Sequence, residues 1–212
     1  MRFIFPFLLL VGSLLQAYDA RLAVTFSPGE LERVEKRLGS AVRHRIEDFS
    51  AQLERFRNLK PERRLVEVNT YVNGYLPEYD SVVNRREDYW STPKEFLIAG
   101  YGDCEEYAIT KYFVLMALGF APESLCLSVV RDLYSGGYHM VLAYYPKPEA
   151  SPLILDNLSF RILPLAHRSD LQPQYCFNAA GTFALDANGR RQPLQRREAK
   201  FDDLMKRIES GR

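Results

Sequence analysis

A change of hydrophobic pattern near Pro122 constrains the fold more than any other feature of the sequence. Before this residue, apolar side chains recur every three or four positions, which is typical of amphipathic helices. After it, short segments rich in β-branched and aromatic residues alternate with turns, which is typical of antiparallel strands. Helices followed by strands predict an α+β fold. The length suits a single domain over residues 21–212, with a helical N-terminal part and a sizeable core.

Capping pairs mark several helix starts in the first half of the chain, each a Ser, Thr or Asp followed three residues later by Glu. The pairs are Ser27 with Glu30, Thr92 with Glu95, and Asp103 with Glu106. The predicted helices cover 28–56, 61–73, 93–99 and 104–118, and an amphipathic pattern at 201–208 either closes the chain or frays. The predicted strands cover 125–131, 139–145, 153–155, 160–163 and 175–185.

The first twenty residues have the features of a secretory signal peptide. Met1-Arg2 is followed by an apolar run over 3–15, and small residues follow at Ala17 and Ala20. The run is shorter than the roughly 20 apolar residues that span a bilayer. The sequence therefore predicts cleavage of residues 1–20 and export to the periplasm. An uncleaved membrane anchor or a buried first helix are the alternatives.

The charge of the chain is balanced. Lys and Arg number 28, Asp and Glu number 27, and the net charge is +1. Nucleic-acid-binding proteins usually have a strong basic excess or a basic patch. We therefore expect no nucleic-acid partner.

The three cysteines differ in their surroundings. Cys126 and Cys176 lie in apolar segments and have the character of small buried hydrophobic residues. They are not expected to be needed for activity, and the sequence leaves open whether they pair in an oxidising compartment. With an odd count, at least one thiol is unpaired within the chain.

Cys104 lies at a predicted helix start, where backbone N–H groups and the helix dipole favour a thiolate. The same N–H groups could hold the oxyanion that forms when a carbonyl is attacked. His139 opens a predicted strand after a Gly-Gly turn, and Asp156 ends the apolar run of the next one. A thiol, an imidazole and a carboxylate in this order suit nucleophilic catalysis. Taken singly, each residue has a structural alternative, which for Asp156 is a turn with Asn157.

Four segments resemble the bacterial transglutaminase-like cysteine proteinases, the family of the LapG-type periplasmic proteases. They are Asp88–Pro93, Gly102–Ala108, His139–Ala143 and Leu155–Leu158, within a similarity that runs from Val68 to Phe183. The resemblance implies a papain/transglutaminase-like fold in which the nucleophile helix packs on an antiparallel sheet. It also implies a catalytic triad of Cys104, His139 and Asp156.

The resemblance further implies a substrate, a partner and a cofactor. Proteases of this kind cut the N-terminal region of a large surface adhesin, often beside paired alanines, and so release a biofilm. An inner-membrane receptor that senses cyclic di-GMP holds them, and they depend on calcium bound near the nucleophile. Clustered carboxylates suit this cation, and Asp103 and Glu105 are the predicted ligands. The alternative is that the acids here only cap the helix.

Two other functions remain open from the sequence. A transglutaminase or amidase would use the same three residues and differ only in the acceptor of the acyl group. A non-catalytic binding module would keep the fold, although such modules usually lose one residue of the triad.

Overall fold

The computed structural model describes residues 20–78 and 89–211. The predicted signal peptide at 1–20 therefore lies almost wholly outside the described residues. Across the two described ranges, every helix is too short or too polar to cross a membrane.

Helices form the first part of the chain, as predicted. They are α1 (Pro28–Leu38), α2 (Ser40–Arg57), α3 (Pro61–Val72), α4 (Pro93–Ala99) and α5 (Cys104–Ala117), and α6 (Ala199–Glu209) follows the sheet. The capping pairs before α1, α4 and α5 are all formed, with side chain and backbone bonded in both directions. The C-terminal helix does close the chain, because Phe201, Leu204 and Ile208 are buried against the core.

The prediction of one long helix over 28–56 is wrong, because the chain breaks at Gly39. This glycine has φ of 90°, a backbone conformation that favours glycine, and its N–H bonds to the carbonyl of Glu35 at 2.8 Å. Apolar spacing continues across the break, so periodicity alone could not detect it. Burial differs on the two sides: α2 buries Ile46, Phe49, Leu53 and Phe56, whereas α1 has no buried residue.

A seven-stranded antiparallel sheet forms the second part, in the order β6-β5-β4-β3-β7-β8-β9. The strands are β3 (Leu125–Asp132), β4 (Tyr138–Tyr144), β5 (Leu153–Asp156), β6 (Ser159–Pro164), β7 (Leu171–Asn178), β8 (Gly181–Leu185) and β9 (Arg191–Leu194). A separate short parallel pair joins β1 (Leu76–Pro77) to β2 (Tyr101–Gly102). The α+β prediction is thus confirmed.

Two details of the sheet differ from the prediction. The single strand predicted at 175–185 is a hairpin, because Asn178 accepts a hydrogen bond from the N–H of Ala180 at 2.9 Å and reverses the chain. Strand β9 was not predicted, because its sequence Arg-Gln-Pro-Leu is short, contains a proline and lies at an exposed sheet edge. Pro193 is tolerated there because an edge strand need not donate every N–H.

Helix α5 runs through the centre of the molecule. Every residue from Glu106 to Ala117 is buried, with α3 and α4 on one side and strands β3, β4 and β5 on the other. A helix that is apolar all round is expected to be enclosed in this way. The start of α5 is held in a fixed position relative to β4 and β5 by this packing.

Cys126 and Cys176 form a disulfide between β3 and β7, with their Cα atoms 5.7 Å apart. Both residues are fully buried, which agrees with their apolar flanks. The sequence left open whether these two cysteines pair, and the structure shows that they do. Strand pairing sets Ser128 opposite Cys176, and Cys126 lies two positions before Ser128 on the same strand, so the two thiols are diagonal neighbours. Cys104 is the remaining, free thiol.

Replacement of Lys111 by methionine is expected to stabilise the fold. Lys111 lies on α5 with no exposed surface, and its Nζ has no hydrogen-bond partner among the residues that the structure describes. Burial lowers its pKa from 10.5 to about 7, although the charge of Asp156 opposes this change. Replacement of buried charged groups by apolar residues of similar volume can stabilise a protein by about 1–4 kcal/mol.

The gain for Lys111→Met should depend on pH. Because the folded-state pKa is depressed, the penalty is fully present below pH 7 and disappears as the pH rises towards 10.5. Thermal unfolding at pH 6 and pH 10 measures this difference. Lys94→Met is the control, since Lys94 already bonds to Glu30 at 2.7 Å and gains nothing from the change. A variant less stable than the parent at pH 6 would contradict the account.

Candidate active site

Three acidic residues lie at the start of α5, and two of them, Asp103 and Glu106, cap the helix. The carboxylate of Asp103 accepts a hydrogen bond from the N–H of Glu105 at 3.2 Å. Glu106 accepts from the N–H of Asp103 at 3.1 Å and from that of Ser91 at 2.8 Å, and it is 1% exposed. Both carboxylate oxygens of Glu106 are thus engaged, one by the cap and one by Ser91. Among the three acids, this leaves Asp103 and Glu105 as possible metal ligands.

Gly102 comes directly before the cap residue of α5 and has close neighbours on α4 and α5. In the structure, a Cβ at this position would lie 2.8 Å from Cβ of Glu106 and 2.9 Å from Cδ2 of Phe96. Gly102 therefore allows α4 and the start of α5 to pack closely.

The thiol of Cys104 lies between its own helix and strand β4. Its Sγ accepts the N–H of Met140 at 3.4 Å and donates to Oε2 of Glu105 at 2.8 Å. Met140 is the residue that follows His139, so the thiol lies beside the strand segment that carries the imidazole. The arrangement brings together residues that are 35 positions apart in the sequence.

The protein groups around Cys104 favour the protonated thiol. Burial raises its pKa most, and the charge and hydrogen bond of Glu105 raise it further, while the N–H of Met140 opposes them. This differs from the expectation that a helix start favours the thiolate. The reason is that burial penalises the charged thiolate and the carboxylate of Glu105 adds to this penalty, and together they outweigh the helix dipole.

His139 and Asp156 are in direct contact. Nε2 of His139 lies 2.8 Å from Oδ1 of Asp156, and the two residues are on the adjacent strands β4 and β5. The side chains are 9% and 0% exposed. Because Asp156 engages Nε2, Nδ1 is the ring nitrogen left for proton transfer. The structure thus brings together Cys104, His139 and Asp156, the three residues that the sequence singled out.

Asp156 is held by more groups than the sequence indicated. Its Oδ1 also accepts the N–H of Leu158 at 2.9 Å, so the predicted turn role exists alongside the contact with His139. Its Oδ2 accepts from Nη2 of Arg168 at 2.7 Å. Burial opposes the charge of Asp156, but His139, Leu158 and Arg168 together hold its pKa well below the ordinary value.

Sequence reasoning missed Arg168 and Asn73 at this site. Nδ2 of Asn73, at the end of α3, donates to the backbone carbonyl of Asp156 at 2.8 Å. Arg168 belongs to a segment, Ala166-His167-Arg168-Ser169, whose polar composition is typical of a loop. The only local signal was the acidic residue Asp170 two positions later.

Asp103, Cys104 and Glu105 form a cluster with metal-ligating chemistry. Their ligand atoms all lie within 4.8 Å of one another. Burial and the adjacent carboxylate of Asp103 raise the pKa of Glu105, whereas the hydrogen bond from Cys104 lowers it. Two carboxylates this close repel each other unless a proton or a cation lies between them. Their oxygens are the ligands that calcium prefers, so the donor set fits this ion.

A protein-family model described as "Bacterial transglutaminase-like cysteine proteinase BTLCP" matches residues 46–172, which is more than half of the chain. The chain belongs to the bacterial transglutaminase-like cysteine proteinases. The matched range contains Cys104, His139 and Asp156 together with the residues that contact them. The family assignment makes the protein a cysteine protease.

Solved structures of a Legionella pneumophila protein, LapG, are similar to this cysteine proteinase. The calcium-bound LapG is 35% identical with a TM-score of 0.72, and the match covers 84% of this chain and 98% of that one. The EGTA-treated LapG is also 35% identical, with a TM-score of 0.71 and coverage of 84% and 97%. A third LapG structure is 34% identical, with a TM-score of 0.68 and the same coverage. No curated protein sequence matches the chain.

Proposed function

We propose that the protein is a periplasmic, calcium-dependent endopeptidase with Cys104 as nucleophile, His139 as base and Asp156 as the residue that orients the base. The observation that supports this most is the 2.8 Å contact between His139 and Asp156, beside a thiol that accepts the N–H of Met140. A nucleophile, a base and an orienting carboxylate are the parts that a thiol protease requires.

The geometry suggests how the parts act. Nδ1 of His139 takes the proton of the Cys104 thiol, and Sγ attacks the carbonyl carbon of the scissile bond. A free backbone N–H group at the start of α5 would stabilise the resulting oxyanion. The imidazolium then gives its proton to the leaving amine. In the second half of the reaction the imidazole takes a proton from water, the hydroxide attacks the thioester, and the acid product leaves as the proton returns to Sγ of Cys104. Asp156 keeps Nε2 protonated and the ring in one orientation throughout.

Asp103 and Glu105 are the proposed calcium ligands. The similar LapG structures are described as calcium-bound and EGTA-treated, which supports a role for this ion in the family. When bound, calcium would neutralise the carboxylate charges that raise the pKa of the Cys104 thiol. The pKa of the Cys104 thiol would then be lower than it is without the ion.

The proposed substrate is the N-terminal region of a large surface adhesin, cut beside paired alanines so that the biofilm is released. The proposed partner is an inner-membrane receptor that senses cyclic di-GMP. Both proposals rest on what the resemblance to the LapG-type proteases implies, and the signal-peptide features of residues 1–20 support a periplasmic location.

Removal of calcium is expected to abolish cleavage of a recombinant N-terminal adhesin fragment. EGTA should stop the reaction, and added calcium, but not magnesium, should restore it. The combined substitution of Asp103→Ala with Glu105→Ala should mimic the chelator, because it removes both proposed ligands. Cleavage is followed by mass spectrometry of the products, which also shows whether water or an amine accepts the acyl group.

Glu62→Gln is the control for this experiment. Glu62 is also an acidic residue in the first turn of a helix, α3, so this change alters helix charge without touching the site. It should leave cleavage and its calcium dependence unchanged. Full cleavage in excess EGTA by metal-free protein would show that Asp103 and Glu105 act only at the helix start.

A further inference from the structure

Both oxygens of the Asp156 carboxylate are engaged, and only one of them faces the imidazole. Oδ1 accepts from His139 and from the N–H of Leu158, whereas Oδ2 accepts from Nη2 of Arg168. A carboxylate held through one oxygen can still turn about its Cβ–Cγ bond. The contact with Arg168 removes this freedom, because it fixes the second oxygen.

Arg168 is itself anchored by Asp170. Nε of Arg168 lies 2.9 Å from Oδ1 and 3.1 Å from Oδ2 of Asp170, and Nη2 lies 2.6 Å from Oδ2. Nη2 therefore bridges the carboxylates of Asp156 and Asp170. A guanidinium is suited to this bridge because its N–H groups are planar and fixed in direction. The Arg168 side chain is 10% exposed, so water competes little with these bonds.

Burial of Arg168 is not fully compensated by hydrogen bonds. Its Nη1 is buried and has no hydrogen-bond partner within 20–78 and 89–211. An unsatisfied buried donor costs about 1–3 kcal/mol. Such costs are characteristic of groups retained for function at a site.

We propose that Arg168, anchored by Asp170, is a positioning residue that fixes the carboxylate of Asp156 and through it the ring of His139. This inference rests on the proposed triad, and it adds a residue that acts on catalysis without touching the substrate. The chain of contacts runs from Asp170 through Arg168 and Asp156 to His139, and its links are hydrogen bonds of 2.6, 2.7 and 2.8 Å.

The charges around Asp156 predict how the pH dependence would change without Arg168. The charged or titratable groups that act on Asp156 are His139 on β4, Arg168 and Asp170 after β6 and, from α5, Lys111. Arg168 is one of the groups that hold the pKa of Asp156 low. Loss of Arg168 should raise the pKa of Asp156. As the pH is lowered, kcat should therefore begin to fall at a higher pH than in the parent.

The test is a series of variants assayed in calcium with the adhesin fragment. Arg168→Met should lower kcat by about 10²-fold with KM unchanged, because a misplaced catalytic group costs about this much. Arg168→Lys should recover part of the loss, because the lysine keeps the positive charge. The recovery should be incomplete, because an ammonium lacks the planar fork that bridges both carboxylates. Asp170→Asn should have a smaller effect than Arg168→Met. The acid limb of the kcat profile should move to higher pH in Arg168→Met.

Arg197→Met is the matched control. Arg197 binds both oxygens of Asp202 through Nε and Nη2, the same fork that Arg168 forms with Asp170, at an exposed position. It should leave kcat, KM and the pH profile unchanged. Thermal unfolding of each variant sets the assay temperature below the unfolding range, so that lost activity is not lost fold.

Alkylation of Cys104 by iodoacetamide provides a readout that needs no substrate. At neutral pH, Arg168→Met should react at least several-fold more slowly than the parent and Arg197→Met at the parent rate. Equal alkylation rates and equal kcat in Arg168→Met would overturn the inference, as would a change confined to KM. If Arg168→Met is alkylated more slowly than the parent, as predicted, but the parent does not cut the fragment, the inference about Arg168 holds and the proposed substrate is contradicted.

Discussion

Replacement of Cys104 by alanine should abolish peptide-bond cleavage, with a loss of about 10⁶-fold in kcat, as expected when a catalytic nucleophile is removed. The fold should persist, because the side chain lies at the start of α5 and not in its enclosed part. The change removes one hydrogen bond with Glu105 and the acceptor for the N–H of Met140. Circular dichroism and thermal unfolding should therefore remain close to those of the parent.

Thr110→Val is the control for this substitution. Thr110 is on the same helix, is fully buried, and its Oγ1 has no hydrogen-bond partner among the described residues. A change of similar size there loses no bond and should keep full activity. Cleavage of the adhesin fragment by folded Cys104→Ala protein would exclude the proposed mechanism.

Asp156→Asn should lower kcat by about 10⁴-fold, the loss seen when an orienting carboxylate is replaced in a comparable triad. An amide has only one oxygen, whereas Asp156 accepts from both His139 and Arg168. One of these donors would then face the amide NH₂ group. The imidazole would lose the partner that fixes its tautomer, and the acylation step would slow.

His139→Ala should also remove activity, and it should slow the alkylation of Cys104 at neutral pH. The reason is that the thiolate loses the imidazolium that stabilises it. Losses from His139→Ala and Asp156→Asn should not add, because each breaks the same unit. A double-mutant cycle on fragment cleavage measures this. If Asp156→Asn is as active as the parent, the residue only closes the turn to Leu158.

The parts of the site that the sequence predicted are those with local signals. The cap at Asp103 and Glu106 placed Cys104 at a helix start, and the end of an apolar run marked Asp156 at a strand end. Each of these inferences depends on residues within a few positions of one another. Cys104, His139 and Asp156 come together because α5, β4 and β5 pack against one another in the α+β fold.

The parts that the sequence did not predict depend on long-range contacts or on a single backbone angle. The break at Gly39 leaves the apolar spacing intact, and the disulfide depends on the pairing of β3 with β7. Arg168 looked like a loop residue because its burial arises from Asp156, 12 positions earlier, and not from apolar neighbours. The preference of Cys104 for its protonated form arises first from burial and then from the carboxylate of Glu105, and capping rules specify neither.

The most direct test of the account is a titration of the parent protein with iodoacetamide. Cys126 and Cys176 are joined, so Cys104 is the only one of the three cysteines that can react without reduction. Intact mass and peptide mapping give the fraction of Cys104 alkylated, and fragment cleavage gives the activity that remains. We predict one adduct per chain, on Cys104, with activity falling in direct proportion to zero. Complete alkylation of Cys104 with cleavage retained would contradict the central claim that this thiol is the nucleophile.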